Sequence, residues 1–130
     1  MPDLGEAWAF LKNSERIVAA DEVAAAVDRV AAELERAYRD RYPLVLAVMG
    51  GAVVFAGWLL PKLRLPLDFD YLHATRYGAA TAGGGIRWRV EPPEGVRGRD
   101  ILVIDDILDG GQTLAAIRTR LLDLGAARVQ

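Results

Sequence analysis

The sequence predicts an α/β domain built on a parallel sheet, with helices on both faces of the sheet. Two short, continuous apolar runs, residues 44–49 and 101–104, are typical of strands that are buried on both faces of such a sheet. Helical patterns lie before and after these runs, so strands and helices alternate along the chain. Ligands of parallel α/β sheets bind beyond the carboxyl ends of the strands, which makes the residues after each run the candidate site.

Two helices are predicted in the first forty residues. Residues 4–11 form a short helix or arm, and we expect its Trp8 and Phe10 to pack onto the body of the domain. A long helix is predicted over residues 22–40, with Asp21 as its N-cap. Its apolar residues recur at intervals of three and four and form one stripe: Val23, Val27, Val30, Leu34 and Tyr38.

Shorter patterns predict the remaining elements. Two further helices are expected over residues 52–63 and 114–124, and Gly125 ends the second of them. Besides the two buried runs, three segments are predicted as strands: residues 67–76, 86–90 and 127–130. Residues 77–85 are rich in Gly and other small residues, and they predict a mobile loop.

Composition and charge limit the class of protein. The chain has 130 residues, of which 52% are hydrophobic and 26% charged, as expected of a single globular domain over residues 1–130. A net charge of −2 argues against a protein that coats nucleic acid by bulk charge, so no nucleic-acid partner is expected. The sequence has no Cys, which excludes disulfides, thiolate metal sites and Cys nucleophiles from it.

The longest apolar stretch is not expected to enter a membrane. It runs over residues 43–61, but three Gly interrupt it, Pro bounds it at both ends, and it divides into a strand, a turn and a helix. No targeting segment is visible at the N-terminus. We therefore expect a cytoplasmic protein with no membrane partner.

Residues 101–113 carry the most informative pattern. A buried strand delivers two adjacent carboxylates, Asp105 and Asp106, to its carboxyl end, and Asp109 follows after two apolar residues. Four residues then lead into a helix: Gly110, Gly111, Gln112 and Thr113. Glycine lets the backbone turn tightly and approach a ligand closely. Amide N–H groups and a hydroxyl at a helix N-terminus attract a phosphate.

The acidic side chains suit a different part of the same ligand, because carboxylates repel phosphate. Asp105 and Asp106 can accept hydrogen bonds from ribose hydroxyls or hold Mg²⁺. Asp109 lies one turn further on, where it can act as an acid–base group. Taken singly, an acidic pair after a strand or a Gly pair before a helix is common in ordinary turns. The complete array in register favours a sugar phosphate as the ligand.

This array resembles the phosphoribosyl-pyrophosphate (PRPP) motif of the type I phosphoribosyltransferases: an apolar strand, two acidic residues, two apolar residues, Asp, a small residue, Gly, any residue and Thr. Residues 48–57 are similar to the first active-site loop and helix of hypoxanthine-guanine phosphoribosyltransferases. Residues 68–77 resemble the stretch that enters that family's flexible loop, in its proteobacterial form. The resemblance covers residues 44–129, about two-thirds of the chain.

The resemblance implies an enzyme of purine salvage. It would transfer the 5-phosphoribosyl group from PRPP to a 6-oxopurine (hypoxanthine or guanine), with Mg²⁺ as cofactor, giving IMP or GMP and pyrophosphate. Asp105 and Asp106 would engage the ribose hydroxyls, directly or through Mg²⁺, and Asp109 would be the general base near the purine N7. Ile107 would lie against the base. The implied cradle for the 5′-phosphate consists of Gly110, Gly111, Gln112 and Thr113.

The same resemblance assigns roles to two other segments. The backbone amides of Met49, Gly50 and Gly51 would bind pyrophosphate, in a loop where the family often has a cis peptide bond that does not precede proline. Arg76 and Tyr77 would begin the loop that closes over PRPP. Closure has a physical reason, because water must be kept from an oxocarbenium-like transition state.

Relatives in this family continue beyond the position of Gln130. Their extension carries further strands, a Lys that reads the purine 6-oxo group and an aromatic residue that stacks on the base. No Lys follows Lys62 in this sequence. The resemblance therefore implies a C-terminally truncated domain without its last strands, in which this chain alone has weak or absent turnover. The apolar helix around Trp58 predicts a homodimer or homotetramer.

Alternatives remain open at this point. The chain could be a PRPP-binding regulator that also binds nucleic acid, a phosphoribosyltransferase for another base, or a receiver-like domain that uses its Asp pair with Mg²⁺. A receiver-like domain would need a Lys late in the chain. Among the remaining polar residues, His73 is expected to have a structural role on its strand, and Arg87 and Arg89 are expected to form an exposed strand face.

Overall fold

The computed structural model describes residues 1–77 and 85–130. Within these residues, five strands form one sheet: β1 (Leu44–Val48), β2 (Asp68–Arg76), β3 (Ile86–Val90), β4 (Asp100–Ile104) and β5 (Arg128–Val129). Their order is β3-β2-β1-β4-β5. The pairs β1–β2, β1–β4 and β4–β5 are parallel, and β3 alone runs antiparallel, to β2. The predicted parallel α/β sheet is confirmed, with one antiparallel strand at its edge.

The helices of the described part are α1 (Leu4–Asn13), α2 (Ala20–Tyr38), α3 (Val53–Leu59) and α4 (Gln112–Asp123). The predicted N-cap of α2 is wrong by two residues, since the helix begins at Ala20 and Asp21 lies in its first turn. At that position the negative charge of Asp21 still interacts favourably with the helix dipole. The predicted helix over residues 52–63 ends at Leu59 and continues as a 3₁₀ turn over Leu60–Lys62, where Pro61 has no N–H for a helical bond.

Helices cover both faces of the sheet, as predicted, and β1 contributes to both cores by strict alternation. Leu44, Leu46 and Val48 point into the core that α4 covers. Val45 and Ala47 point into the core that α2 and α3 cover. A strand buried on both faces must be apolar at every position, which is why this run carries no polar residue.

The N-terminal helix does not pack as expected. None of the α1 side chains is buried, and Trp8 and Phe10 are 54% and 69% exposed. The prediction that these two rings pack onto the body is therefore wrong. Local contacts stabilise the start of helix α1 instead. Asp3 and Glu6 form a capping box that satisfies the first N–H groups of the helix without any tertiary partner.

The exposure of two further side chains bears on their expected roles. Trp58 on α3 is 48% exposed, so it is not a core residue. His73 is half-buried on β2. In the described residues, no helix is both long and apolar enough to cross a bilayer.

The parallel pairing decides where the site lies. The carboxyl ends of β1, β2 and β4 meet at one edge of the sheet, because these three strands run in the same direction. Val48, at the end of β1, is paired with Leu72, so β2 continues past its neighbour as far as Arg76. The segments after β1 and β4 and the end of β2 therefore surround one space.

Candidate functional site

A cavity of about 280 Å³ opens at this carboxyl edge. We call it the site cavity; its lining comes from the end of β1 and the loop after it, from the end of β2, and from residues 105–114. All but two of the predicted site residues line it: Met49, Gly51, Arg76, Asp105, Asp106, Ile107, Asp109, Gly110, Gly111, Gln112 and Thr113. The two exceptions, Gly50 and Tyr77, lie next to lining residues in the chain. One edge of the sheet thus brings together residues from three separate segments.

Four lining residues were not predicted from the sequence: Val48, Ala74, Leu108 and Leu114. They are apolar, and they line the cavity between the polar groups. The alternation of β2 provides a signal for Ala74, because it lies two residues from Arg76 and therefore on the same face of the strand. The other three carry no such signal, since an apolar residue beside a polar loop is ordinary.

The acidic pair follows β4 directly. Asp105 is half-buried and Asp106 is exposed, and the Asp106 backbone N–H donates a hydrogen bond to Asp105 Oδ1 over 2.8 Å. Burial raises the pKa of the Asp105 carboxyl above its ordinary value; that hydrogen bond opposes the rise, and the neighbouring Asp106 carboxylate adds to it. Asp105 is thus a carboxylate that a cation or a hydroxyl donor would stabilise.

Replacing Asp105 by Asn is expected to stabilise the unliganded protein at neutral pH. The raised pKa means that native Asp105 binds its proton more tightly than the unfolded chain does, so ionisation above the native pKa costs stability. Since water screens the half-buried group, the rise in Tm should be small, roughly 1–3 °C. Thermal unfolding at several pH values measures it, with Glu33→Gln at an exposed position in the interior of α2 as the control. The gain should disappear below the ordinary pKa of 3.8; a gain that persists there would contradict the explanation.

The first loop runs directly against the acidic pair. A Cβ added to Gly51 would lie 2.6 Å from Asp106 Oδ1 and 2.9 Å from its Cγ, closer than real Cβ contacts. Only glycine lets the backbone approach the carboxylate in this way. The adjoining Met49–Gly50 peptide bond is cis, in the loop where the resemblance implies such a bond.

The N-terminus of α4 forms another wall. Its N-cap is Gly111 with φ of 79°, a left-handed conformation that favours glycine, and no side chain caps the helix there. The first helical bond is donated by the Ala115 N–H to the Gly111 carbonyl over 2.9 Å. The preceding N–H groups, those of Gln112, Thr113 and Leu114, therefore have no intrahelical acceptor. Such a terminus favours an anion.

Arg76, at the end of β2, and Tyr77, which follows it, belong to a third part of the site. The Arg76 guanidinium donates a hydrogen bond to Gln112 Oε1, which joins the end of β2 to the first residue of α4. Tyr77 is exposed, and its N–H donates to the Gly85 carbonyl over 3.0 Å. Tyr77 and Gly85 are the first and last residues of the predicted mobile loop, and both lie outside the strands. Residues 78–84 of that predicted loop lie outside the described part of the structure.

The carboxylates of the site suit a hard cation that takes some of its oxygen ligands from the protein and the others from a bound substrate. In residues 1–77 and 85–130, no three His, Cys, Asp or Glu side chains are grouped so that they alone could hold a metal ion. Mg²⁺ is commonly held by one or two carboxylates while water and substrate phosphates supply the remaining oxygens. Asp105 and Asp106 beside an open cavity fit that kind of binding.

A family model described as "Phosphoribosyl transferase domain" matches residues 13–130. The chain belongs to the phosphoribosyltransferase family. Solved structures support the fold: a Bacillus anthracis hypoxanthine-guanine phosphoribosyltransferase superposes with a TM-score of 0.82 at 22% identity, over 90% of this phosphoribosyltransferase and 70% of the other chain. The predicted type I phosphoribosyltransferase fold is confirmed, and the receiver-like alternative is set aside.

Curated relatives are similar over most of this phosphoribosyltransferase. The hypoxanthine-guanine phosphoribosyltransferase of Bacillus subtilis is 33% identical over 100 residues, which are 76% of this chain and 56% of the relative. That of Streptococcus pneumoniae strain R6 is 27% identical over 115 residues, 88% of this chain and 64% of the relative. The chain thus spans between half and two-thirds of these relatives. Neither represents the predicted proteobacterial form, which stays a prediction.

Proposed function

We propose that this phosphoribosyltransferase transfers the 5-phosphoribosyl group of PRPP to hypoxanthine or guanine, releasing pyrophosphate. The observation that carries the proposal is the site cavity, where an acidic pair lies beside an uncapped helix N-terminus. A phosphorylated sugar requires both, because its phosphate needs N–H donors and its hydroxyls need acceptors. The named relatives support the choice of a 6-oxopurine as the acceptor base.

In this proposal, the 5′-phosphate lies at the N-terminus of α4. The N–H groups of the first turn donate to its oxygens, and the Thr113 hydroxyl adds a donor from the same wall of the cavity. The residues of the cradle are Gly110, Gly111, Gln112 and Thr113. Gly110 and Gly111 leave room for the phosphate to approach the backbone.

Asp105 and Asp106 bind the ribose. Their carboxylates accept hydrogen bonds from the two ring hydroxyls, and they are the residues that would hold Mg²⁺. Bound there, Mg²⁺ would neutralise charge on the pyrophosphate oxygens as they become a leaving group. The pair also orients C1 of the sugar toward the incoming base.

Asp109 is the proposed general base. It is exposed in the loop between the acidic pair and α4, where it can reach a purine that lies above the cavity. As N9 of the purine forms its bond to C1, the bond from C1 to pyrophosphate breaks and the electron pair leaves with pyrophosphate. The Asp109 carboxylate takes the proton from N7. The exposed apolar side chain of Ile107 offers the face on which the base rests.

The loop after β1 is proposed to hold the pyrophosphate. Met49 and Gly51 line the same cavity as the first residues of α4, and Gly50 lies between them in the chain, so one cavity would hold both the 5′-phosphate and the pyrophosphate of PRPP. Tyr77 and Arg76 begin the segment that would close over the ligand, and closure excludes water from the reacting carbon.

A second copy of this chain is the proposed assembly partner. Val54 and Trp58 on α3 are exposed, and so are Phe69 and Tyr71 on β2. Phe69 and Tyr71 pair in register with Val45 and Ala47, so they lie on the α3 side of the sheet. Apolar side chains shared by one face are typical of a subunit contact. The cytoplasm remains the expected location.

Calorimetric titration of the purified chain tests the function. PRPP with Mg²⁺, and separately GMP, should bind with a stoichiometry of one per chain, while UMP, a pyrimidine nucleotide with the same ribose phosphate, should bind more weakly than GMP. Absence of PRPP binding would remove the proposal. A preference for UMP over GMP would favour a phosphoribosyltransferase for another base. A mobility shift with RNA or DNA at physiological salt would favour the regulatory alternative.

Replacing Gly51 by Ala is expected to weaken binding of Mg²⁺–PRPP by about tenfold. The added Cβ would displace the exposed Asp106 carboxylate from its position against the loop, while the core is left unchanged. Calorimetry should show the loss at an unchanged Tm. The control is Gly95→Ala, where a Cβ meets nothing within 4 Å. Wild-type affinity in Gly51→Ala would show that the contact between the loop and Asp106 is not needed.

A further inference from the structure

The end of β2 places a guanidinium beside the site cavity. Leu72 pairs with the last residue of β1, and β2 continues for four more residues, a distance of about 13 Å at 3.3 Å per residue. Leu72, Ala74 and Arg76 share one face by alternation, and this face is turned toward α4, since Leu72 and Ala74 lie in the core that α4 covers. Arg76 therefore extends beyond the edge of the sheet on the side of α4.

Arg76 is also the single cation among the described residues that line the cavity. The same lining contains three carboxylates, those of Asp105, Asp106 and Asp109. A phosphate dianion placed at the α4 N-terminus would be repelled by all three, and backbone amides carry no net charge with which to offset them. A guanidinium can bind a phosphate through two parallel N–H groups, which a neutral donor cannot match.

The contact that Arg76 makes in the structure shows its reach. Its guanidinium donates to Gln112 Oε1, the side chain of the first residue of α4. The uncapped N–H groups of α4 begin at that same residue. A neutral amide oxygen is a weaker acceptor than a phosphate oxygen, so a bound phosphate would displace Gln112 from the guanidinium.

We propose that Arg76 is the cationic ligand of the 5′-phosphate and that it exchanges Gln112 for that phosphate when the ligand binds. This inference rests on the proposed function, and it assigns Arg76 to the phosphate at α4 rather than to pyrophosphate. Gln112 then competes with the ligand through its side chain while its backbone N–H donates to the phosphate. Loss of the two side chains should therefore have opposite effects.

Ribose 5-phosphate is the probe, because it carries the 5′-phosphate and lacks pyrophosphate. In calorimetric titrations, Arg76→Ala is expected to lose about tenfold or more in affinity, and Arg76→Lys to recover part of the loss. Gln112→Ala is expected to bind two- to fivefold more tightly. Arg118→Ala removes the same charge from an exposed position on α4 outside the cavity, and it should bind as the wild type does.

Three outcomes would overturn the inference. Unchanged affinity in Arg76→Ala would remove Arg76 from the phosphate site. Equal losses in Arg76→Ala and Gln112→Ala would mean that their contact only orders the start of α4. A loss seen with PRPP but not with ribose 5-phosphate would assign Arg76 to pyrophosphate. If the wild type binds neither PRPP nor ribose 5-phosphate, the proposed function is wrong. That result is distinguishable from a failure of the Arg76 assignment, in which the wild type still binds.

Discussion

Replacing Asp105 and Asp106 together by Asn is expected to weaken binding of Mg²⁺–PRPP by at least about a hundredfold. Each carboxylate would otherwise make a charge-assisted hydrogen bond or a bond to the cation, and such bonds contribute about 1.5–3 kcal/mol each. The amides of Asn keep the size of the side chains but lose the charge. Calorimetric titration of wild type and double variant at one ionic strength gives the ratio of affinities.

The control for this experiment removes two negative charges elsewhere. Asp40 and Asp123 are both exposed and lie outside the site cavity, so Asp40→Asn/Asp123→Asn should bind as the wild type does. The Tm of the Asp105/Asp106 variant should not fall, because burial already opposes ionisation of Asp105. Unchanged affinity in that variant would take both carboxylates out of the proposed site.

Leu121→Ala is expected to lower the free energy of unfolding by about 2–5 kcal/mol. Leu121 is fully buried on α4, in the core between this helix and the sheet. Truncation removes its contacts and leaves a cavity, and the net stability of a domain is only about 5–15 kcal/mol. Equilibrium unfolding in urea measures the change, and a fall in the midpoint at constant slope would assign it to stability alone.

The adjacent residue provides a matched control. Leu122 lies on the same helix with the same side chain, but it is 38% exposed. Leu122→Ala should therefore lower the free energy of unfolding by less than about 1 kcal/mol. Similar losses in the two variants would contradict core packing as the cause; helix propensity cannot produce a loss, because Ala is a slightly better helix former than Leu.

Local patterns were sufficient to predict most of the sheet. The buried strands were predicted because a strand covered on both faces must be apolar at every position, and few other local structures require this. The antiparallel pairing of β3 was not predicted, because alternation indicates a strand but not the direction of its neighbour. The end of α3 was placed too late, because the predicted helix continued past Pro61, whose missing N–H favours a tighter turn over a further α-helical turn.

The N-terminal helix shows where sequence patterns fail. Large apolar side chains usually predict burial, but Trp8 and Phe10 are exposed in this structure. Hydrophobicity favours burial only where another surface is within reach, and nothing in the local sequence reports the position of a helix relative to the sheet. Of the two predicted possibilities for residues 4–11, a short helix or an arm, the structure has the helix, and its capping box is a local property.

The sequence alone determined which chemical groups follow β4 and at what spacing. Two acids, a spacer, a third acid and a glycine turn before a helix are consecutive, so their chemistry could be inferred from spacing. The tertiary structure decided the contacts of Gly51 with Asp106 and of Arg76 with Gln112. These partners lie far apart in the chain, and only the parallel pairing of β1 with β2 and β4 brings their strand ends to one edge of the sheet.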